Sequence, residues 1–177
     1  MKFIADILGI LGIVFSVVLY QQKKRESLLF YKLVLDLIWL LHYCFIGAYS
    51  GAAVAAIAAF RELVFLKRDP KKKGGIIWLP IFITVAVAST VLTWNNAFSL
   101  FTCLASCIAV TSFFIGIPKL SRVLAFPVSL CMLTYDFASG SMAGVINEIF
   151  AITSSVIGII RLDVKGAKKK KIDTAEI

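Results

Sequence analysis

Histidine is almost missing from this chain: His42 is the only one in 177 residues. The four cysteines, Cys44, Cys103, Cys107 and Cys131, all lie inside apolar runs without CxxC spacing, so metal ligation and disulfide chemistry lack a framework. No Gly-rich phosphate loop occurs, and no nucleophile stands in register with a base. These absences argue against an enzyme, and neither a metal nor a cofactor is expected. The period-two alternation of a membrane barrel is missing too, so the apolar runs must satisfy their backbones as helices.

What is abundant is apolar residue, 60% of the chain. A net charge of +9 would suit a nucleic-acid partner in a soluble chain, but the basic residues sit between apolar runs, and no nucleic acid is expected. A hydrocarbon core needs about 20 helical residues. Cutting at charged and Gly/Pro/Asn punctuation gives seven stretches, near 3–20, 28–47, 51–67, 75–94, 97–116, 120–138 and 141–161. The class is an all-α membrane protein. Residues Phe3 to Tyr20 follow Lys2 as a signal peptide would, yet no small-x-small site comes after them, so they are read as an uncleaved first span.

Orientation follows from Lys and Arg in short loops, which stay on the cytoplasmic side. The first, third and fifth loops carry Lys23, Lys24 and Arg25, then Lys67, Arg68 and Lys71 to Lys73, then Lys119 and Arg122. Arg161, Lys165 and Lys168 to Lys171 follow the last span, whereas the loops around Tyr49, Asn95 and Ser139 have no basic residue. The expectation is an inner (plasma) membrane, multi-pass protein with its N-terminus outside and C-terminus cytoplasmic. The basic face attracts anionic lipid.

Shifting the chain by 93 residues lays spans one to three over spans five to seven. Gly47 and Gly51 then fall on Gly140 and Gly144, Arg68 on Arg161, and Leu37, Leu40 and Ala58 on Leu130, Leu133 and Ala151. Three is odd, so a fourth span must intervene for both triplets to point the same way. The expected arrangement is two parallel three-helix repeats joined by a linker helix: 1–67, then 68–95 as basic loop and linker, 96–162, and the basic tail 163–177. Two such halves leave a cleft between them where transporters of this kind hold substrate. Ala52, Ala55, Ala56 and Ala59 form a small face for close packing.

Ionisable residues within spans are costly and are functional candidates by default. Lys32 and Arg61 are near enough to the cytoplasmic ends to snorkel, Lys32 can pair with Asp36 one turn on, and Glu62 is expected to find its partner in a loop. Asp6 and Asp136 belong to outer helix ends. His42 and Glu148 lie roughly 8 and 10 Å below the outer ends of spans two and seven by helical rise, and the repeat sets Tyr135 opposite His42. With Trp39 as a stacking face and Asn147 as a further polar group, these five residues are the candidate substrate site. The competing reading is a buried hydrogen bond from His42 to Glu148 or Asn147 that joins the halves.

The stretch Trp39-Leu40-Leu41-His42-Tyr43, the Gly47 to Gly51 turn, Arg61 and the three-one-three span order resemble the YgjV family of bacterial inner-membrane proteins, which is distantly similar to the SWEET, PQ-loop and PnuC-like transporters. That resemblance implies a membrane transporter or facilitator of a small soluble metabolite. The alternative is a non-transporting scaffold or receptor that binds a protein or lipid partner through the basic face. The Pro-Gln pair of the PQ-loop proteins is absent: the chain has Tyr20-Gln21-Gln22 and Gly116-Ile117-Pro118 at those places. Their hinge chemistry is therefore not carried over, and Pro127 is the expected source of a kink.

Overall fold

Apolar residues on every side and few helix breakers leave helix as the available backbone state, and the computed structural model is helical throughout its regular elements. It describes residues 2–45, 49–69, 73–92, 94, 97–138 and 142–166. Among these, the elements are α1 (Lys2–Leu19), α2 (Arg25–Phe45), α3 (Tyr49–Lys67), α4 (Trp78–Leu92), α5 (Ser99–Ile115), α6 (Pro118–Ala138) and α7 (Met142–Gly158). A 3₁₀ segment, Lys73–Ile77, leads into α4, and a π-helical segment, Ile159–Val164, continues α7. The turns at Gly47 and Gly140, the loop residues Asn95 and Ser139, and Lys168 to Lys171 lie outside the described residues.

Three helical stretches are long and apolar enough to cross a membrane: Gly75–Leu92, Pro118–Ala138 and Gly144–Val164. Ile4–Leu19 and Ser99–Ile115 are apolar but shorter. The helices α2 and α3 carry charge, and they turn it inward: Asp36, Arg61 and Glu62 are all buried. Meanwhile Phe137, Leu92, Ile76, Val91 and Ile10 are exposed on the outside. Charge kept inside, beside an apolar core that includes Leu28, Leu29, Phe65 and Phe113, leaves an apolar exterior suited to hydrocarbon.

Neighbouring helices follow one another in a ring. Helix α2 packs between α1 and α3, and α6 packs between α5 and α7. The ring closes where α7 meets α1 and where α3 meets α5, the second seam being much the shorter, and α4 lies against α5. Moving α2 along the chain by 93 residues reproduces the bounds of α6. The inward faces also correspond at that shift: Leu28, Leu29 and Asp36 fall on Ser121, Arg122 and Ser129, and Arg61 and Glu62 on Ser154 and Ser155, every one of them buried. Pro127 lies within α6, which runs on past it to Ala138.

Gly116 ends α5 in the left-handed region (φ 66°), its amide donating to the Ser112 carbonyl. A side chain there would also run into Arg25, so glycine is required twice over.

Candidate functional site

Polar side chains that face the ring interior have to find one another. On α2, Lys32 is paired with Asp36 Oδ1, and its ammonium stands 5.6 Å from the centre of the Phe113 ring on α5. On α3, Arg61 holds Glu62 Oε1 through Nε at 2.9 Å and a terminal nitrogen at 2.8 Å. Arg61 does not snorkel outward as its position suggests: it is 8% exposed and Glu62 is wholly buried. On α7, the Asn147 amide donates to Glu148 Oε1 at 3.2 Å, and Ser129 of α6 lies beside the same carboxylate. Lys32 is close enough to Glu148, and Asp36 to Glu62, to act on them electrostatically. Helices α2, α3, α6 and α7 thus bring Lys32, Asp36, Arg61, Glu62, Ser129, Asn147 and Glu148 into one interior cluster.

The cluster is incompletely bonded. Asp36 Oδ2, Glu62 Oε2 and Ser155 Oγ are buried without a hydrogen-bond partner among the described residues. Lys32 and Arg61 face Asp36, Glu62 and Glu148, with buried Asp136 acting on Glu148 as well, and each cation is already committed to one carboxylate, Lys32 to Asp36 and Arg61 to Glu62. A buried acceptor left unbonded costs about 1–3 kcal/mol, so the interior retains unused capacity for a hydrogen-bond donor.

Next to the cluster, in the short seam of α3 with α4 and α5, lies a cavity of about 50 Å³. Arg61 lines it together with Ala58, Phe82, Ala86, Ser89 and Val110.

The five residues singled out from sequence divide between two depths. His42 Nδ1 donates to the Ala5 carbonyl at 2.8 Å, and Trp39 meets His42 edge-on with ring centres 5.3 Å apart. Gly9 and Gly12 of α1 make room for these rings: a Cβ on Gly12 would stand 3.1 Å from Trp39, and one on Gly9 would stand 3.6 Å from His42. Asn147, by contrast, accepts a hydrogen bond of 2.9 Å from Ser16. Ser16 is eleven residues beyond Ala5, about 16 Å further along α1. His42 therefore lies near one end of the bundle and Trp39 one turn deeper against Gly12 in the middle of α1, while Asn147 and Glu148 belong to the interior cluster. Tyr135 is partly buried one turn from the end of α6.

Sequence reasoning treated Lys32, Asp36, Arg61 and Glu62 as structural or snorkelling residues and left them out of the site. The available signal was their clustering on two adjacent spans, all within the half of the chain that precedes α4.

A second set of charges seals the basic end of the ring. Arg25 donates to the Phe65 carbonyl at 2.6 Å, and Arg68 donates to the Phe114 carbonyl at 2.7 Å with its guanidinium 3.7 Å from the Phe114 ring centre. Arg122 forks onto Asp163 at 3.0 and 2.7 Å and also donates to the Tyr20 and Gln22 carbonyls at 3.2 and 2.8 Å. Each arginine reaches carbonyls at or beyond the last turn of a neighbouring helix, where intrahelical donors run out and the helix dipole favours a cation. Burial lowers the Arg68 pKa below its ordinary value, and the nearby Arg25 lowers it further.

Against known proteins, a family model described as a bacterial inner membrane protein, Imp-YgjV, matches residues 3–165. The chain belongs to this family. It is accordingly a membrane protein of a bacterial inner-membrane family, with its apolar helix faces in contact with the lipid bilayer. No curated protein and no solved structure matches it. Among the described residues of this Imp-YgjV member, no group of three or more His, Cys, Asp or Glu side chains is placed to hold a metal ion.

Proposed function

We infer that the protein is a transporter or facilitator of a small soluble metabolite, not an enzyme, and that the substrate enters the interior of the six-helix ring. The observation that carries this reading is the buried cluster with its unbonded Asp36, Glu62 and Ser155 oxygens. Scaffolding alone gives no reason to keep charges at such cost inside an apolar bundle, whereas a carrier needs a polar site enclosed by apolar walls.

The matching inward faces at the 93-residue shift support two parallel three-helix repeats with α4 as linker, the arrangement that SWEET-like carriers share. In such a carrier the two halves rock about a site on the axis between them. The unequal seams suit this motion: α7 and α1 are tied by Ser16–Asn147, Gln21–Ser154 and Ser154–Val17 bonds, while the α3–α5 seam is short and holds a cavity. The basic end, placed in the cytoplasm by its Lys and Arg, is the closed end of this conformation. Anionic lipid gathers around the lysines there. Arg25, Arg68 and Arg122 are spent on internal bonds, which counts against a partner-binding scaffold.

The test is uptake into liposomes of the purified protein, using a labelled panel of sugars, nucleosides, vitamins, organic acids and amines, beside thermal stability in detergent. A carrier accumulates one class, and that class raises stability by mass action. If no compound crosses and none stabilises, the carrier reading is abandoned.

A further inference from the structure

We propose that the substrate presents a small primary ammonium group, received by Asp36 and Glu62 inside the ring. This rests on the carrier reading and specifies its substrate class. The unbonded atoms decide the chemistry. Asp36 Oδ2 and Glu62 Oε2 are carboxylate oxygens, which only accept, and the Ser155 hydroxyl can accept as well. What each of them lacks is a hydrogen-bond donor, and Asp36 and Glu62 are near enough to act on one another.

Charge selects among donors. Lys32 and Arg61 pair with Asp36 and Glu62, whereas Glu148 lies beside Asn147 and within electrostatic reach of Asp136, so carboxyl groups outnumber cations in this interior. A cation offsets that excess of carboxyl groups, and a neutral polyol does not. The chain already demonstrates the fit, because the Lys32 ammonium occupies the other oxygen of Asp36 and faces the Phe113 ring. A ligand ammonium on Oδ2 repeats that contact. Calcium and magnesium want a cage of several oxygens, and no group of three or more His, Cys, Asp or Glu side chains placed to hold a metal occurs among the described residues.

The experiment measures thermal stability of the purified full chain in detergent at fixed pH and ionic strength. The probes are methylammonium and ethanolamine, set against tetramethylammonium, which has the charge without the N–H groups, and ethylene glycol, which has donors without the charge. Methylammonium and ethanolamine are expected to raise the melting temperature in a saturable manner, while the other two leave it unchanged. The isosteric Asp36→Asn and Glu62→Gln variants are each expected to weaken the apparent affinity at least tenfold, and Thr153→Ala, at an exposed position on α7, is expected to retain it. If a variant fails to fold, the saturable shift in the parent, its loss for tetramethylammonium and labelled methylammonium uptake into liposomes still decide the matter. Stabilisation by ethylene glycol or sugars but not by amines overturns the ammonium and leaves the carrier reading standing. Stabilisation by lower pH alone, without any amine effect, assigns the excess charge to a proton and also overturns it. No response to any probe, with no flux of any panel compound, removes the ammonium and the carrier together.

Discussion

Arg122 and Asp163 are joined by two parallel hydrogen bonds although 41 residues separate them, and their side chains are only 3% and 9% exposed. The π-helical segment Ile159–Val164 carries Asp163. The same guanidinium spends a further nitrogen on the Tyr20 and Gln22 carbonyls, so one side chain ties α6 to the ends of α1 and α7. Only a planar fork with several donors can serve both directions at once.

Removing one partner of this pair leaves the other charge buried, which costs about 3–5 kcal/mol. Asp163→Leu is therefore expected to lower unfolding stability in detergent by an amount of that order. Arg122→Met with Asp163→Leu is expected to recover part of the loss but not all, because the Tyr20 and Gln22 carbonyls lose their donor in the double variant. Arg122→Lys is expected to rescue poorly. A double-mutant cycle read by denaturation checks all three, and full recovery in the double variant would show that the carbonyl bonds contribute little.

Gly158 lies where α7 crosses the end of α1. A Cβ at this position would stand 2.6 Å from Arg122 Cδ and 2.7 Å from the Tyr20 carbonyl oxygen. The arginine can shift, but a backbone oxygen cannot without moving α1. Gly158→Ala is expected to loosen the α1–α7 seam at a cost of about 1–3 kcal/mol, as overpacking does. Faster hydrogen exchange confined to the facing ends of α1 and α7 is the expected signature; exchange that is unchanged there would contradict it.

The helices were readable because punctuation and charge mark span ends, and the bounds of α2 and α6 lie 93 residues apart. The Lys32–Asp36 pair was readable too, since an i,i+4 spacing places both on one helix face. Arg61 and Glu62 were not. Adjacent residues do not face each other on a helix, and only the geometry of α3 in the ring shows that both turn inward. The expected common depth of His42 and Glu148 came from counting rise from assumed span ends. Ser16 meeting Asn147 across 131 residues corrects that count, because helix stagger leaves no mark in a single sequence. The arginine belt was hidden for another reason: its acceptors are mostly backbone carbonyls, which every residue has.

Orientation is open to a direct check. With lysines and arginines retained in the cytoplasm, a fluorescent protein fused after Ile177 is expected to be bright in cells, and alkaline phosphatase fused there to be inactive. Reversed signals would place the basic end of the ring outside, and the arginine belt would then close the outer mouth.

The α3–α5 seam is short, and Arg68 fastens it beside the Phe65–Phe114 ring contact, whose centres are 5.5 Å apart. Its guanidinium donates to the Phe114 carbonyl and covers the Phe114 ring. A half-buried cation–π contact contributes about 0.5–2 kcal/mol, and a hydrogen bond from a charged donor about 1.5–3 kcal/mol. Arg68→Ala removes both, and since the Phe114 carbonyl sits in the last turn of α5 near water, the orphaned acceptor can rehydrate by opening. The prediction is therefore local: the seam should part before the bundle unfolds. Ser106 lines the cavity behind it, so a Ser106→Cys reporter, in a background where the four native cysteines are alanine, reads that opening by its rate of modification with a water-soluble thiol reagent. Arg68→Ala is expected to raise the rate at least tenfold, and Arg68→Lys by less, since the ammonium keeps the charge while losing the planar stack. Equal rates in all three proteins would mean that the seam is held elsewhere along α3 and α5.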